Sequence, residues 1–465
     1  MPARKPSPRF PAPPPVLAGG LALALLLGAA RAQEAAVHPP RDPRIGAALK
    51  EISSARIQAD IEKLVGFGTR STLSAQDPSS IAAGRGISAA GEWIQSEFER
   101  YSQDCGGCLA VNIDSFPEAP ADRIPQTTKI TNVYAVLKGS DPGSPQRMVL
   151  VTGHYDSRNS DILDPKGDAP GANDDASGTA VTLECARVLS RRKFPASIIF
   201  LAVAGEEQGL NGSRHFAQMA KQQGWNLQGV LNNDIVGGNQ DPEQDPGVVR
   251  VFSEGVPVAA DEKQLKQIRG LGGENDSPSR ELARYIGETG AVYEAGVKPL
   301  LIFRLDRYLR GGDHYSFNQQ GFSAVRFTEY REDYTRQHQN VRSEDGIEYG
   351  DLPKFVDFDY VAKVARLNAA TLASLASAPA PPSQVRLLTA KLENNSTLQW
   401  ESARGASAYE VLWRGSSAPV WEHAQNVGNV TSTTLKISKD NVIFGVRAVD
   451  NEGHRSLPVV PVPER

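Results

Sequence analysis

The sequence predicts an α/β domain built on a mixed β-sheet flanked by helices, followed by a small C-terminal β-sandwich. Three observations carry that reading. Between residues 45 and 378, apolar strand-like runs alternate with helical patterns, as they do when helices cover the faces of a sheet. Ala378-Pro379-Ala380-Pro381-Pro382 then breaks the pattern, and 379–382 reads as a linker. Beyond it, residues 383–465 carry short alternating runs at the spacing of a sandwich.

The elements follow in chain order. Arg4, Lys5 and Arg9 precede an apolar run at 16–27, and Ala30-Arg31-Ala32 offers a small-residue cleavage site. Residues 1–32 therefore read as a signal peptide, with an uncleaved anchor as the alternative. The run is shorter than the about 20 residues a spanning helix needs. We therefore expect a secreted or periplasmic protein without stable membrane insertion after cleavage. Residues 33–43, rich in Pro and Ala, read as a leader. Strands are expected at 132–137, 148–152, 198–203, 230–233, 248–252, 300–303 and 324–327. Helices are expected at 87–101, 179–191, 280–287 and 361–376. Asp175-Ala176-Ser177-Gly178 supplies a capping stretch for the second of these. The sandwich strands are expected at 384–388, 396–400, 409–413, 433–437 and 441–449.

A chain of 465 residues is long enough for two or three folding units. Its 40% hydrophobic and 22% charged residues match an ordinary globular protein. The net charge is −4, and about −8 once the four cations of the signal peptide are gone. With no dense basic cluster, this balance argues against a nucleic-acid partner. Cys105-Gly106-Gly107-Cys108 reads as a local disulfide in an exported chain, ahead of a redox dithiol or half a zinc site. Cys185, in an apolar helical stretch, reads as buried.

Five short segments hold nearly all the unusual acids and imidazoles: Gly153-His154-Tyr155-Asp156-Ser157, Gly171-Ala172-Asn173-Asp174-Asp175, Gly205-Glu206-Glu207, Asn233-Asp234 and Gln337-His338-Gln339. Most follow expected strands, where open α/β sheets place their catalytic groups. A pair such as Glu206-Glu207 behind a buried strand is costly without a compensating cation. No Lys or Arg lies within that motif, and a metal pair supplies the charge. Imidazole and carboxylate without thiolate suit zinc, with cobalt or manganese as substitutes.

The order of these motifs resembles the co-catalytic zinc exopeptidases that include the secreted bacterial leucyl aminopeptidases. The resemblance covers residues 44–378 and implies a peptidase acting on the N-termini of peptides or proteins through two Zn²⁺ ions. It implies His154, Asp174, Glu207, Asp234 and His338 as metal ligands, Asp174 being shared. It implies Glu206 as general base and Asp156 as the partner that orients His154. The family has a His-Thr motif where this chain has His338-Gln339, and Gly312-Asp313-His314 keeps His314 in contention as the fifth ligand. Arg304, Arg307 and Arg310 are candidates to anchor a substrate carboxylate, or are solvated loop charges. His38, His215, His423 and His454 have no ligand context. Trp400, Tyr409-Glu410-Val411 and the run Phe444 to Asp450 resemble a fibronectin type III module, expected to bind a surface or polymer. Two other functions stay open: a glutaminyl-cyclase-like aminoacyltransferase with a single zinc, and a non-catalytic binding scaffold.

Overall fold

The computed structural model describes residues 38–141 and 147–465. The signal peptide and the first part of the leader lie outside the described residues. The leader gives way to structure at Asp42, whose side chain accepts from the Arg44 amide to cap the helix Pro43–Leu49.

Eight strands form the main sheet: β1 (Leu109–Glu118), β2 (Thr128–Leu137), β3 (Arg147–His154), β4 (Ser197–Val203), β5 (Asn226–Asn233), β6 (Val248–Ser253), β7 (Lys298–Ile302) and β8 (Ala324–Glu329). Their order is β1-β2-β4-β3-β5-β8-β6-β7. The central run β4-β3-β5-β8 is parallel, while β1, β2 and β6 bring the antiparallel pairings. The sheet is therefore mixed, as expected.

β4 explains why the centre reads as an unbroken apolar run. All seven of its residues are buried. Ile198, Phe200 and Ala202 face one core with the helices Ser54–Val65, Gly86–Asp104, Ala176–Leu189 and Phe358–Ser377. Ile199, Leu201 and Val203 face a second core with Phe216 and Phe317 of the helices Asn211–Gln222 and Asp313–Gln319. A strand covered on both faces has no polar side to show. β3, β4 and β5 run in parallel and end at one edge of the sheet, which fixes where the loops after them meet.

Two small sheets follow, one of Ser383–Leu388, Ser396–Glu401, Ser432–Leu435 and Val462–Glu464, the other of Ala408–Gly415, His423–Gly428 and Val442–Val449. They share a core of Val385, Leu398, Trp400, Tyr409, Val411, Phe444 and Val446. Residues 379–382 do not leave this unit loose. Arg147 donates to the Ala378 carbonyl at 2.6 Å, and the helix Pro278–Tyr293 is tied across. Glu281 accepts from Trp421 Nε1 at 2.9 Å, Arg284 donates to the Pro419 carbonyl at 2.8 Å, and Glu288 accepts from Arg447 at 2.9 Å. Cys105 and Cys108 form a disulfide, and Cys185 is a buried free thiol. No helix among the described residues is long and apolar enough to cross a membrane.

Candidate metal centre

His154 is the last residue of β3; Glu206 and Glu207 lie in the loop after β4, and Asp234 follows β5 directly. Asp174 reaches the same edge from the segment leading into the helix Ala176–Leu189. That helix approaches β3 closely because both partners are glycine at the contact. A Cβ on Gly153 would meet the Gly178 carbonyl carbon at 2.4 Å, and one on Gly178 would meet the Asn233 oxygen at 2.1 Å. The two neighbouring aspartates divide their tasks. Asp175 caps the helix, accepting from the Gly178 amide at 2.9 Å, and also accepts from the His154 amide at 3.0 Å. Asp174 is left free to face the imidazoles.

The Asp174 carboxylate presents one oxygen to each of two histidines. Oδ1 lies 3.2 Å from His154 Nε2, and Oδ2 lies 2.9 Å from His338 Nε2. Asp234 Oδ1 is 3.8 Å from the same nitrogen of His154, and Glu207 Oε1 is 3.0 Å from that of His338. At this edge potential ligand atoms gather in two sets, His154–Glu206–Asp234 and Asp174–Glu207–His338, each within 4.8 Å, while a third set, Asp42–Glu452–His454, lies away from it and gives His454 the ligand context its sequence did not suggest. Asp156 stands behind His154, with Oδ1 3.4 Å from Nδ1. Its carboxylate also accepts from the Thr72 hydroxyl and from the amides of Glu206 and Glu207.

Electrostatics follow from this crowding. Burial opposes a charge on His154, but Asp156, Asp174 and Asp234 outweigh it and hold the imidazole well above its usual value. Burial likewise opposes ionisation of Asp174, and the His338 and His154 imidazoles overcome it to keep the carboxyl well below the ordinary range. Glu206 goes the other way. Burial raises it well above a normal glutamate, and Asp234, Glu207 and Asp313 add to the rise against His154. At His338, Glu207 and Asp174 prevail over burial and raise the ring to about 10. The Arg158 guanidinium lies 2.7 Å from Nδ1.

His338 and His314 have different surroundings. His314 is fully buried with Nε2 2.9 Å from the Leu305 carbonyl, and it belongs to neither ligand set. His338 points into the centre from a left-handed backbone, φ 58°, a conformation a side chain adopts only where its surroundings enforce it. The remaining histidines sit elsewhere. His215 stacks on Phe116, His423 stacks on Trp413, and His454 bridges Asp42 and Asp450.

Four residues outside the sequence motifs, and Gln337 beside His338, complete the site. Asp351 accepts from the Asp174 amide at 2.7 Å, and Gln337 donates to Asp174 Oδ2 at 2.9 Å. Arg158 donates to Glu207 Oε2 at 3.1 Å, and Arg326 lies 2.9 Å from Asp234 Oδ1. Arg123 donates to the Glu207 main-chain carbonyl at 3.0 Å. The positive charge absent from the Glu206-Glu207 motif is thus partly supplied by arginines from other segments. A cavity of about 660 Å³ opens over the centre, lined by Asp174, Glu206, Asp234 and His338 with Arg123, Arg158, Arg307, Arg310 and Tyr334. Arg307 and Arg310 are held by Glu332 at 2.7 and 2.9 Å, whereas Arg304 bonds Tyr308 and is not among the lining residues.

Residues 132–358 match the model of peptidase family M28. A Pyrenophora tritici-repentis protein named a probable zinc metalloprotease is 46% identical over 433 residues, 92% of this chain and 88% of its own. The chain belongs to peptidase family M28. A Pyricularia oryzae protein of the same name is 48% identical, over 91% of this chain and 85% of its own. With these relatives, this M28 chain is a zinc metalloprotease. Its fold is shared with the Legionella pneumophila LapA aminopeptidase, at a TM-score of 0.50 and 22% identity over 73% of this chain and 77% of that one. LapB of the same organism gives a TM-score of 0.50 and 19% identity, over 77% of this chain and 81% of that one.

Proposed function

We propose that this M28 peptidase is an exported aminopeptidase that removes N-terminal residues from peptides at a two-zinc centre. The observation that carries the reading is the Asp174 carboxylate, whose two oxygens face two separate imidazoles at 3.2 and 2.9 Å. His154 and Asp234 would hold one ion and Glu207 and His338 the other, with Asp174 shared. The donor set of two imidazoles and three carboxylates fits zinc. When bound, zinc supplies a Lewis acid for the scissile carbonyl and brings a water toward neutral acidity.

The chain's own residues do the rest. Asp156 and its carbonyl, 3.4 and 3.2 Å from His154 Nδ1, fix a proton there and leave Nε2 for the metal. Glu206, raised by burial, is tuned to take a proton from the attacking water and return it to the leaving amine. The Cys105–Cys108 disulfide supports the reading of an exported chain. Residues 383–465 we read as a fibronectin type III-like attachment unit.

The direct test offers a leucyl arylamide, its N-acetylated form and an N-terminal glutaminyl peptide side by side. Hydrolysis of the free-amine arylamide alone is the expected result. Equal hydrolysis of the blocked form contradicts the aminopeptidase direction, and cyclisation of the glutaminyl peptide selects the single-zinc alternative. Glu206→Gln should keep its zinc and lose about 10²–10⁴ in kcat.

A further inference from the structure

Four guanidiniums surround the mouth of the cavity: Arg123, Arg158, Arg307 and Arg310. Three already face carboxylates. Arg158 meets Glu207 at 3.1 Å, Arg307 meets Asp306 at 3.0 Å and Glu332 at 2.7 Å, and Arg310 meets Glu332 at 2.9 Å. Arg123 differs. It is exposed, and among the described residues no carboxylate lies within ion-pair distance of it. Its hydrogen bond goes instead to the Glu207 main-chain carbonyl at 3.0 Å.

The residue is also held in place. It lies in the turn between β1 and β2, where the Ala121 and Ile124 main chains exchange bonds of 2.8 and 3.0 Å. Ile124 is fully buried and anchors that turn. Arg123 therefore offers an unneutralised guanidinium in the cavity lining, bonded to the main chain of Glu207, with donors to spare for a carboxylate.

We propose that Arg123 binds a carboxylate on the first residue beyond the scissile bond, making peptides that carry one there the preferred substrates. This rests on the aminopeptidase reading, which defines the leaving-group side. The N-terminal residue brings an ammonium, which the unneutralised Arg123 repels, so the complementary anion lies across the scissile bond. Arg123 bonds the main-chain carbonyl of the same Glu207 whose side chain enters the centre, so the group it meets lies next to the reacting bond. The carboxylate therefore belongs to the adjacent residue. Its source is either the α-carboxylate of a dipeptide or an Asp or Glu side chain in a longer peptide.

The test compares Leu-Ala, Leu-Ala-amide and Leu-Asp-amide on the full-length, zinc-loaded enzyme and on Arg123→Gln and Arg123→Lys. The wild type should favour a carboxylate-bearing peptide over Leu-Ala-amide by about tenfold in kcat/KM, mostly through KM. Arg123→Gln should bring that ratio toward one, and Arg123→Lys should keep part of it. A preference for Leu-Ala alone assigns the α-carboxylate, and one for Leu-Asp-amide alone assigns the side chain. A wild type without preference overturns the proposal. So does Arg123→Gln slowing all three peptides equally, the sign of a structural role through the Glu207 carbonyl. Hydrolysis of Leu-Ala-amide by the wild type shows separately that the aminopeptidase reading stands; if no free-amine peptide is cleaved, both fall together.

Discussion

His154 has acceptors on both sides of its ring: the Asp156 carbonyl and carboxylate at Nδ1, Asp174 and Asp234 at Nε2. In the metal-free protein burial opposes a charge on the ring, but Asp156, Asp174 and Asp234 outweigh it and favour a proton on each nitrogen. A metal must displace the one on Nε2, which couples binding to proton release. Zinc affinity should therefore rise with pH between about 6 and 8. Calorimetry in buffers of different ionisation enthalpy should find protons released at pH 7; no release contradicts this account of His154. Far from the centre, burial raises Asp60 to about 7, with Glu97 and Glu184 adding to the effect. Its folded value exceeds the unfolded one, so the fold favours the neutral acid and loses stability as pH rises from about 4 through 7. Asp60→Asn should flatten that part of the pH–stability profile, by up to roughly 4 kcal/mol in urea unfolding. At this scale the proposed ligands were readable because each sits in a compact motif, with His154, Glu207 and Asp234 at strand ends, Asp174 ahead of a helix and His338 in a loop. Asp351, Arg158 and Arg123 were not, because their partners lie 177, 49 and 84 residues away. Arg326 did leave a trace: it is a cation within a strand whose six residues are all buried.

The close approach of β3 to the helix Ala176–Leu189 carries Asp174 and Asp175 to His154. Gly178→Ala should gain up to about 1 kcal/mol of helix propensity yet destabilise the protein, because the new methyl meets the Asn233 oxygen at 2.1 Å. A urea midpoint at or above wild type contradicts that packing argument. The buried strands β3, β4 and β5 were legible as apolar runs between polar loops. β1 was not, although it pairs with β2 from Leu109 through Glu118. It is an edge strand whose burial falls mostly at intermediate or exposed levels, so its sequence lacks the apolar signal. The helix Asn211–Gln222 escaped for a similar reason, since half of what it buries is polar or glycine: Asn211, Gly212 and Ser213 beside Phe216, Ala217 and Ala220.

The linker at 379–382 suggested a tethered module, but the buried contacts make one body of the two parts. Trp421, Pro419 and Arg447 meet Glu281, Arg284 and Glu288 along a single helix. The composition break at the prolines was readable; the interface was not, because its residues come from segments more than 130 positions apart. Deleting 383–465 should strip these partners and lower the thermal midpoint by about 5 °C or more. An unchanged midpoint contradicts the coupling.

If Asp174 divides two metal subsites, the zinc content of the chain follows from it. Metal analysis of the purified, zinc-saturated protein should give about two equivalents per chain, and His338→Ala about one. One equivalent in the wild type, or two retained in His338→Ala, contradicts it.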